Sequence, residues 1–120
     1  MAVVQVHQRE IVEVPFTLQD GQILPHPALV ISCDELQNIE PGMFNAVLIS
    51  TKNHYPELTI PIQIEWLSSP LSKQSYFVTH IINQFNCDDV IGRRNCFLRQ
   101  PHFDHVVDRI IATIVDGEYN

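Results

Sequence analysis

Six apolar side chains near the C-terminus, Phe103, Val106, Val107, Ile110, Ile111 and Ile114, fall at i, i+3, i+4, i+7, i+8 and i+11. That spacing lines them along one side of an α-helix, and such a stripe has to be laid against another apolar surface. Pro101 suits the first helical turn and Gly117 the stop. The spacing therefore predicts a helix over 102–115 that buries Phe103, Val107, Ile110 and Ile114. The signals upstream of it are those of strands, so the surface this helix covers has to be a sheet.

The strands are short. Ile11-Val12-Glu13-Val14 ends at Pro15, and a loop from Thr17 to Pro25 follows with Asp20-Gly21 as its turn. Ala28 to Ile31 is a continuous apolar run between Pro27 and Ser32, as in a strand buried on both faces. Ser32 to Glu40 reads as a loop or one short helical turn before Pro41-Gly42, and Phe44 to Ile49 as the next strand. Leu58, Ile60, Ile62 and Ile64 alternate with Thr59, Pro61, Gln63 and Glu65, where Pro61 implies an edge or a bulge. Tyr76 to Phe85 reads as a strand, Cys87 to Arg94 as a connection with Arg93-Arg94 at an exposed turn, and Cys96 to Leu98 as a short last strand. Strands over 11–15, 28–32, 44–50, 58–65 and 76–82 with one late helix predict a mostly β chain. The expected architecture is a small antiparallel sheet or partly open barrel with the helix packed across it.

A length of 120 residues predicts a single domain over 1–120, and 45% apolar with 18% charged residues excludes a disordered chain. The longest apolar runs, 28–31 and 46–49, are far too short to span a bilayer, and no secretion signal opens the chain, so a cytoplasmic location is expected. Fourteen acidic against seven basic residues give a net charge of −7, which argues against non-specific nucleic-acid binding and leaves room for a local basic patch. Cys33, Cys87 and Cys96 show no CxxC spacing; a disulfide framework would leave one over, a zinc site would need histidine help, and buried reduced thiols are the expectation.

Arg9 to Phe16, then Asp20-Gly21, then His26-Pro27-Ala28-Leu29-Val30-Ile31-Ser32 resemble the opening strands of the MazF/PemK (Kid) toxin family of bacterial toxin–antitoxin systems. Val47 to Lys52 resembles that family's third strand, which ends in a Thr/Ser pair; Pro61 to Ile64 and Ser75 to Ile82 stand where two later strands do, and the resemblance runs over about residues 8–115. It implies an SH3-like antiparallel barrel with a C-terminal helix, a homodimer, and metal-independent cleavage of single-stranded RNA with no cofactor. It also implies a cognate antitoxin whose disordered tail folds onto the toxin.

Metal-free RNA cleavage needs a base for the 2′-OH, a cation or donor on the phosphate, and an acid for the leaving 5′-oxygen. The family's phosphate-binding Arg before the second-strand Pro is His26 here, and its hydroxyl position is Ser50 with Thr51 beside it. An imidazole makes no bidentate phosphate clamp, yet it serves as general acid or base as guanidinium does not. His26, Ser50 and Thr51 are thus the candidate catalytic residues, with Thr17, Lys52, His54 and His80 as candidate substrate contacts and no metal ligands. His80-Ile81 and Asn83 replace charged positions of the family pattern. Against these stand plainer roles. Ser50-Thr51 can satisfy backbone at a strand end, His54 can belong to a solvated loop, and His102 and His105 are expected on the helix surface. Trp66 is expected to pack on the core. The competing function is a catalytically inactive barrel that binds protein or nucleic acid. A gyrase-poisoning toxin of the CcdB type shares the barrel, and no residue selects it. A positive groove around His26 and Ser50 would favour the nuclease and an acidic one the binder.

Overall fold

The computed structural model describes residues 5–118. Strands β1 (Glu10–Thr17) and β2 (Ile23–Val30) form a long antiparallel hairpin closed by the turn at 18–22, so the segment expected as a loop up to Pro25 is mostly strand. Asp20 Oδ1 accepts from the Gln22 N–H at 2.9 Å, and Gly21 takes φ +88°, a conformation that glycine adopts without a Cβ clash. The Leu18 N–H donates to the Gln22 carbonyl at 2.8 Å, which fixes the alternation of ladder bonds down the hairpin. Residues 16/24, 14/26 and 12/28 exchange bonds, while Pro15, Pro25 and Pro27 fall where an N–H would point out of the hairpin. The prolines therefore cost the hairpin no hydrogen bond, and for that reason they do not end it.

A six-residue helix, α1 (Asp34–Ile39), occupies the segment expected as a loop or single turn, and β3 (Met43–Ser50) follows. β4 (Thr59–Pro61), β5 (Tyr76–Val78), β6 (Asn83–Asn86) and β7 (Gly92–Phe97) complete an all-antiparallel sheet in the order β4-β5-β3-β2-β1-β7, with β6 on β3. The sheet stays open between β4 and β7, and a single bridge between Leu67 and Leu98 draws those ends together. Helix α2 (Gln100–Ile111) then crosses one face.

Alternation along β1–β3 sorts the core into two layers. Ile11, Leu29, Val47 and Ile49 face α2 and pack with Phe77, Phe103, Val106 and Ile110. Val12, Val14, Ala28, Val30, Phe44 and Ala46 form a second buried cluster on the opposite face. Both faces of the central strands are dry, which explains their unbroken apolar runs.

Further expectations need correction. The period-two stretch 58–65 is strand only at Thr59–Pro61: one more bond, from the Ile62 N–H to the Ser75 carbonyl at 2.9 Å, follows it, and the chain then coils into a 3₁₀ turn at Ile64–Trp66 that leaves Ile64 71% exposed. The strand expected over 76–82 stops at Val78, and the chain steps across to pair with the other half of β3 as β6. Arg93-Arg94 lie inside β7, where Arg93 binds Glu10 and Arg94 binds Glu13 across the strand pair, so they are not a free turn. Val107 is only half-buried and Ile114 is 45% exposed. The α-helix gives way to a π-turn at Ala112–Asp116, whose extra residue per turn rotates the stripe out of phase. Thr113 takes the inward place instead, its hydroxyl 3.2 Å from that of Thr79. Among the cysteines, Cys87 and Cys96 are buried free thiols as expected, whereas Cys33 is exposed.

Candidate functional site

The β2–β3 ladder pairs Val30 with Ala46, Leu29 with Val47 and Ala28 with Leu48, and there it stops. The same register carried two residues further sets His26 opposite Ser50. The Ile31 N–H donates to the Asn45 carbonyl at 2.9 Å, so the β2 residues whose N–H groups point at β3 are 31, 29 and 27. Position 27 is proline and has none to give. Phe16, diagonal to His26 across the hairpin, lays its ring at 5.1 Å from the imidazole, tilted by 33°.

His26 is half-buried, and this burial pushes its pKa below the ordinary 6.5, with the Ile49 backbone pulling the other way. Ser50 closes β3, and its Oγ accepts the Lys52 N–H at 3.0 Å. The bond satisfies backbone, as a strand-end serine can, and leaves the hydroxyl proton free to donate. Both side chains open on a groove of about 550 Å³ on the sheet face away from α2. Phe16, Leu18, Leu48, Val78 and Ile81 make its apolar walls, and Thr51, Lys52 and Asn83 join His26 and Ser50 as its polar lining.

A smaller hollow of about 210 Å³ adjoins the groove and shares Ser50 and Lys52 with it; His54, Tyr55, Thr59 and His80 line its far side. Tyr55 meets His80 edge-on at 6.3 Å. The His80 Nδ1 is buried without a hydrogen-bond partner. Six of the seven residues singled out from the sequence thus converge on one connected cleft. The seventh, Thr17, pairs with Ile23 one residue beyond Phe16. Strand alternation turns it to the other face of the hairpin, exposed and outside the lining.

Neither lining contains a carboxylate, although the chain carries fourteen acidic residues. Lys52 is the cation in both. The arginines work elsewhere: Arg93 and Arg94 on carboxylates, and Arg9, Arg99 and Arg109 on the backbone carbonyls of Leu98, Glu65 and Glu57. His102 and His105 lie against Trp66, the first stacked at 4.7 Å and the second edge-on at 6.4 Å, and Trp66 packs on the core. Among the described residues no three of His, Cys, Asp and Glu converge as a metal-binding group would require.

Phe16 and Tyr55 enter the cleft without having been singled out from the sequence, and Ile81 and Asn83 figured there only as departures from the family pattern. Phe16 was accessible to such reasoning, since it continues the Val14 face of β1 by period two. Tyr55 and Ile81 sit in connections whose course no local pattern fixes, and Asn83 opens β6 just after one.

A sequence model of PemK-like, MazF-like toxins of type II toxin–antitoxin systems matches residues 7–114. The chain belongs to that family. Among solved structures, this MazF/PemK-family chain is similar to the Deinococcus radiodurans MazF of a MazE–MazF crystal structure, at TM-score 0.69 and 15% identity over 90% of this chain and 94% of that one. An endoribonuclease in complex with its cognate antitoxin from a mycobacterial species aligns at TM-score 0.69 and 14% identity, over 97% of this chain and 100% of that one. An endoribonuclease from a mycobacterial species aligns at TM-score 0.64 and 17% identity, covering 93% of each chain. At such identities the likeness is one of fold. No curated protein sequence matches. No helix among the described residues is long and apolar enough to cross a membrane.

Proposed function

We propose that this MazF/PemK-family toxin is an endoribonuclease that cleaves single-stranded RNA without a metal, acting in the cytoplasm as a homodimer restrained by a cognate antitoxin peptide. The observation that carries the proposal is the carboxylate-free groove on a protein of net charge −7, with His26 and Ser50 at its centre and Lys52 at its lip. A polyanion is repelled by the rest of this surface and admitted here.

His26, kept neutral near pH 7 by its burial, takes the 2′-OH proton as general base. The 2′-oxygen attacks the adjacent phosphorus and the bond to the 5′-oxygen breaks, giving a 2′,3′-cyclic phosphate and a 5′-hydroxyl. The Ser50 and Thr51 hydroxyls donate to the non-bridging oxygens as charge develops there. The Lys52 ammonium offsets that charge and supplies a proton to the departing oxygen. His54 and His80 contact the strand beyond the scissile phosphate. The exposed apolar residues Ile23 and Leu24 of the hairpin suit the dimer, and the apolar groove walls suit the antitoxin peptide, as the antitoxin-bound structures of fold relatives support.

The test is cleavage of single-stranded RNA in chelator by wild type, His26→Ala, His26→Arg and Ser50→Ala, from about pH 5.5 to 8.5, where histidine titrates. Wild-type activity should rise with pH through the depressed pKa of His26 and then level off. His26→Ala should lose ~10²–10⁴-fold, the contribution of a positioned general base. Ser50→Ala should lose ~10²-fold as an absent oxyanion donor does. Equal rates in all four proteins would end the proposal. A second reading, the inactive binding barrel, is favoured by one observation, the absence of arginine from both linings. Cleavage by His26→Arg alone would select it.

A further inference from the structure

We infer that Pro27 is a positioning residue that holds the seam between β2 and β3 open, and so makes the room between His26 and Ser50 in which a substrate phosphate sits. The inference deepens the ribonuclease proposal and rests on it for its kinetic part.

The two strands part before either of them ends. Their pairing stops at Ala28 and Leu48, although β2 reaches back to Ile23 and β3 runs on to Ser50. Residues 23–27 of β2 stay paired with β1, and Ile49 and Ser50 of β3 stay paired with Phe77 and Tyr76 of β5. Each strand is thus held regular by its other neighbour, and only the seam gives way. The break falls at one backbone position. The alternation that sends the Ile31 N–H to the Asn45 carbonyl at 2.9 Å turns the backbone of residue 27 towards Ile49. There β2 has to donate next, and proline has no N–H.

The groove lies along this parting line. Phe16 and His26 stand on its hairpin bank, and Leu48, Ser50 and Lys52 on the bank of β3. Zipped one step further, the ladder would make His26 and Ser50 a directly opposed pair with Cβ atoms about 4.5–5.5 Å apart, close enough for their side chains to meet each other. A phosphate held between the two needs that contact to be absent.

Pro25 provides the control. It too points its ring nitrogen out of the hairpin on the β3 side, but two residues past the point where the seam has already opened.

The experiment is NMR of wild type, Pro25→Ala, Pro27→Ala and Pro27→Val, with the kinetics of RNA cleavage alongside. A fifth protein carries lactic acid at position 27, which keeps alanine's methyl group and has an ester oxygen in place of the N–H. Pro27→Ala and Pro27→Val should show a close Hα–Hα contact between His26 and Ser50, the mark of a zipped antiparallel pair, and an exchange-protected amide at residue 27. Wild type, Pro25→Ala and the lactic-acid protein should lack the contact. In the two zipped variants KM should rise ~5-fold with kcat within about twofold, because substrate has first to reopen one added hydrogen-bonded pair and then meets an unaltered site. The lactic-acid protein should keep the wild-type KM; a raised KM there would mean that the rigid ring matters instead of the missing donor, and would overturn the inference. An open seam in both Pro27→Ala and Pro27→Val overturns it as well. So does a His26–Ser50 Hα–Hα contact in wild type, which decides the matter even where a variant fails to fold. If wild type cleaves no RNA but the contact follows the N–H at position 27, the open seam stands and the ribonuclease proposal falls.

Discussion

Removing the Arg93 side chain tests what joins β1 to β7. Glu10 is 2% exposed, and Arg93 donates to it twice, Nε to Oε2 and Nη2 to Oε1, each at 2.6 Å. The carboxylate beside it pulls the guanidinium pKa upward. The His7 N–H adds a third bond to Oε1 at 3.0 Å. Deleting one partner of a fully buried pair costs about 3–5 kcal/mol, because the other charge is stranded. Here the Arg93 side chain is 38% exposed, so water reaches the vacated position, and the His7 bond survives. The expected loss for Arg93→Met is therefore ~2–3 kcal/mol. With a urea m-value of about 1–3 kcal/mol/M, the unfolding midpoint should drop by roughly 1–2 M. Trp66 is the chain's one tryptophan, so its fluorescence reports the transition. Wild type and variant need one protein concentration, since any self-association makes stability depend on it. The double variant Glu10→Leu/Arg93→Met should lose less than Arg93→Met alone, because no charge is left stranded. A single-variant loss below about 0.5 kcal/mol, the range of ordinary surface changes, would refute the reasoning.

Three further outcomes follow from the same structure. Because the folded-state pKa of His26 lies below its ordinary 6.5, the unfolded chain takes up the proton first; stability should hold above about pH 6.5 and decline as pH falls towards the folded value, relative to His26→Gln. A pH-independent difference between the two proteins would contradict that. Gln37 is 3% exposed and clamps both backbone groups of Val6, accepting its N–H at 3.2 Å and donating to its carbonyl at 2.6 Å, so Gln37→Leu should cost ~2 kcal/mol and speed amide exchange at Val6. Thr79→Val removes the hydroxyl that donates to the Leu58 carbonyl at 2.7 Å and meets Thr113, and should lower the urea-unfolding free energy by about 1–2 kcal/mol.

The central strands and the late helix were legible because burial on both faces, or along one stripe, writes itself into residue type. Ala28–Ile31 and Phe44–Ile49 show the first case, and Phe103, Val106 and Ile110 the second. Period two at Leu58–Ile64 misled because alternation records which side chains turn inward, and Ile60 and Ile62 do, at 5% and 6% exposure. It does not record whether the backbone finds a partner strand. Ile114 misled because a single π-turn shifts phase without any change in the apolar pattern. The cleft was legible at His26 and Ser50 only by resemblance. What brings them opposite each other is the β2–β3 register, a property of two strands that neither strand states alone. Tyr55 and Ile81 were out of reach, since their places depend on how the 51–55 and 79–82 connections cross the end of β3.

The prolines of the hairpin bear also on how other chains can hold it. Towards its tip β1 and β2 run free of other strands, and such an arm, carrying Ile23 at 61% and Leu24 at 41% exposure, has the makings of an aggregation nucleus. A strand added to either edge would need outward N–H donors at 15 and 17 on one side, or at 23, 25 and 27 on the other. Pro15, Pro25 and Pro27 delete three of those five, and Thr17 and Ile23 alone keep theirs, at the very tip. The arm can thus remain greasy without templating a cross-β stack. A partner that grips it has to do so through side chains seated in pockets, since the backbone offers too few donors to zip a new strand along it.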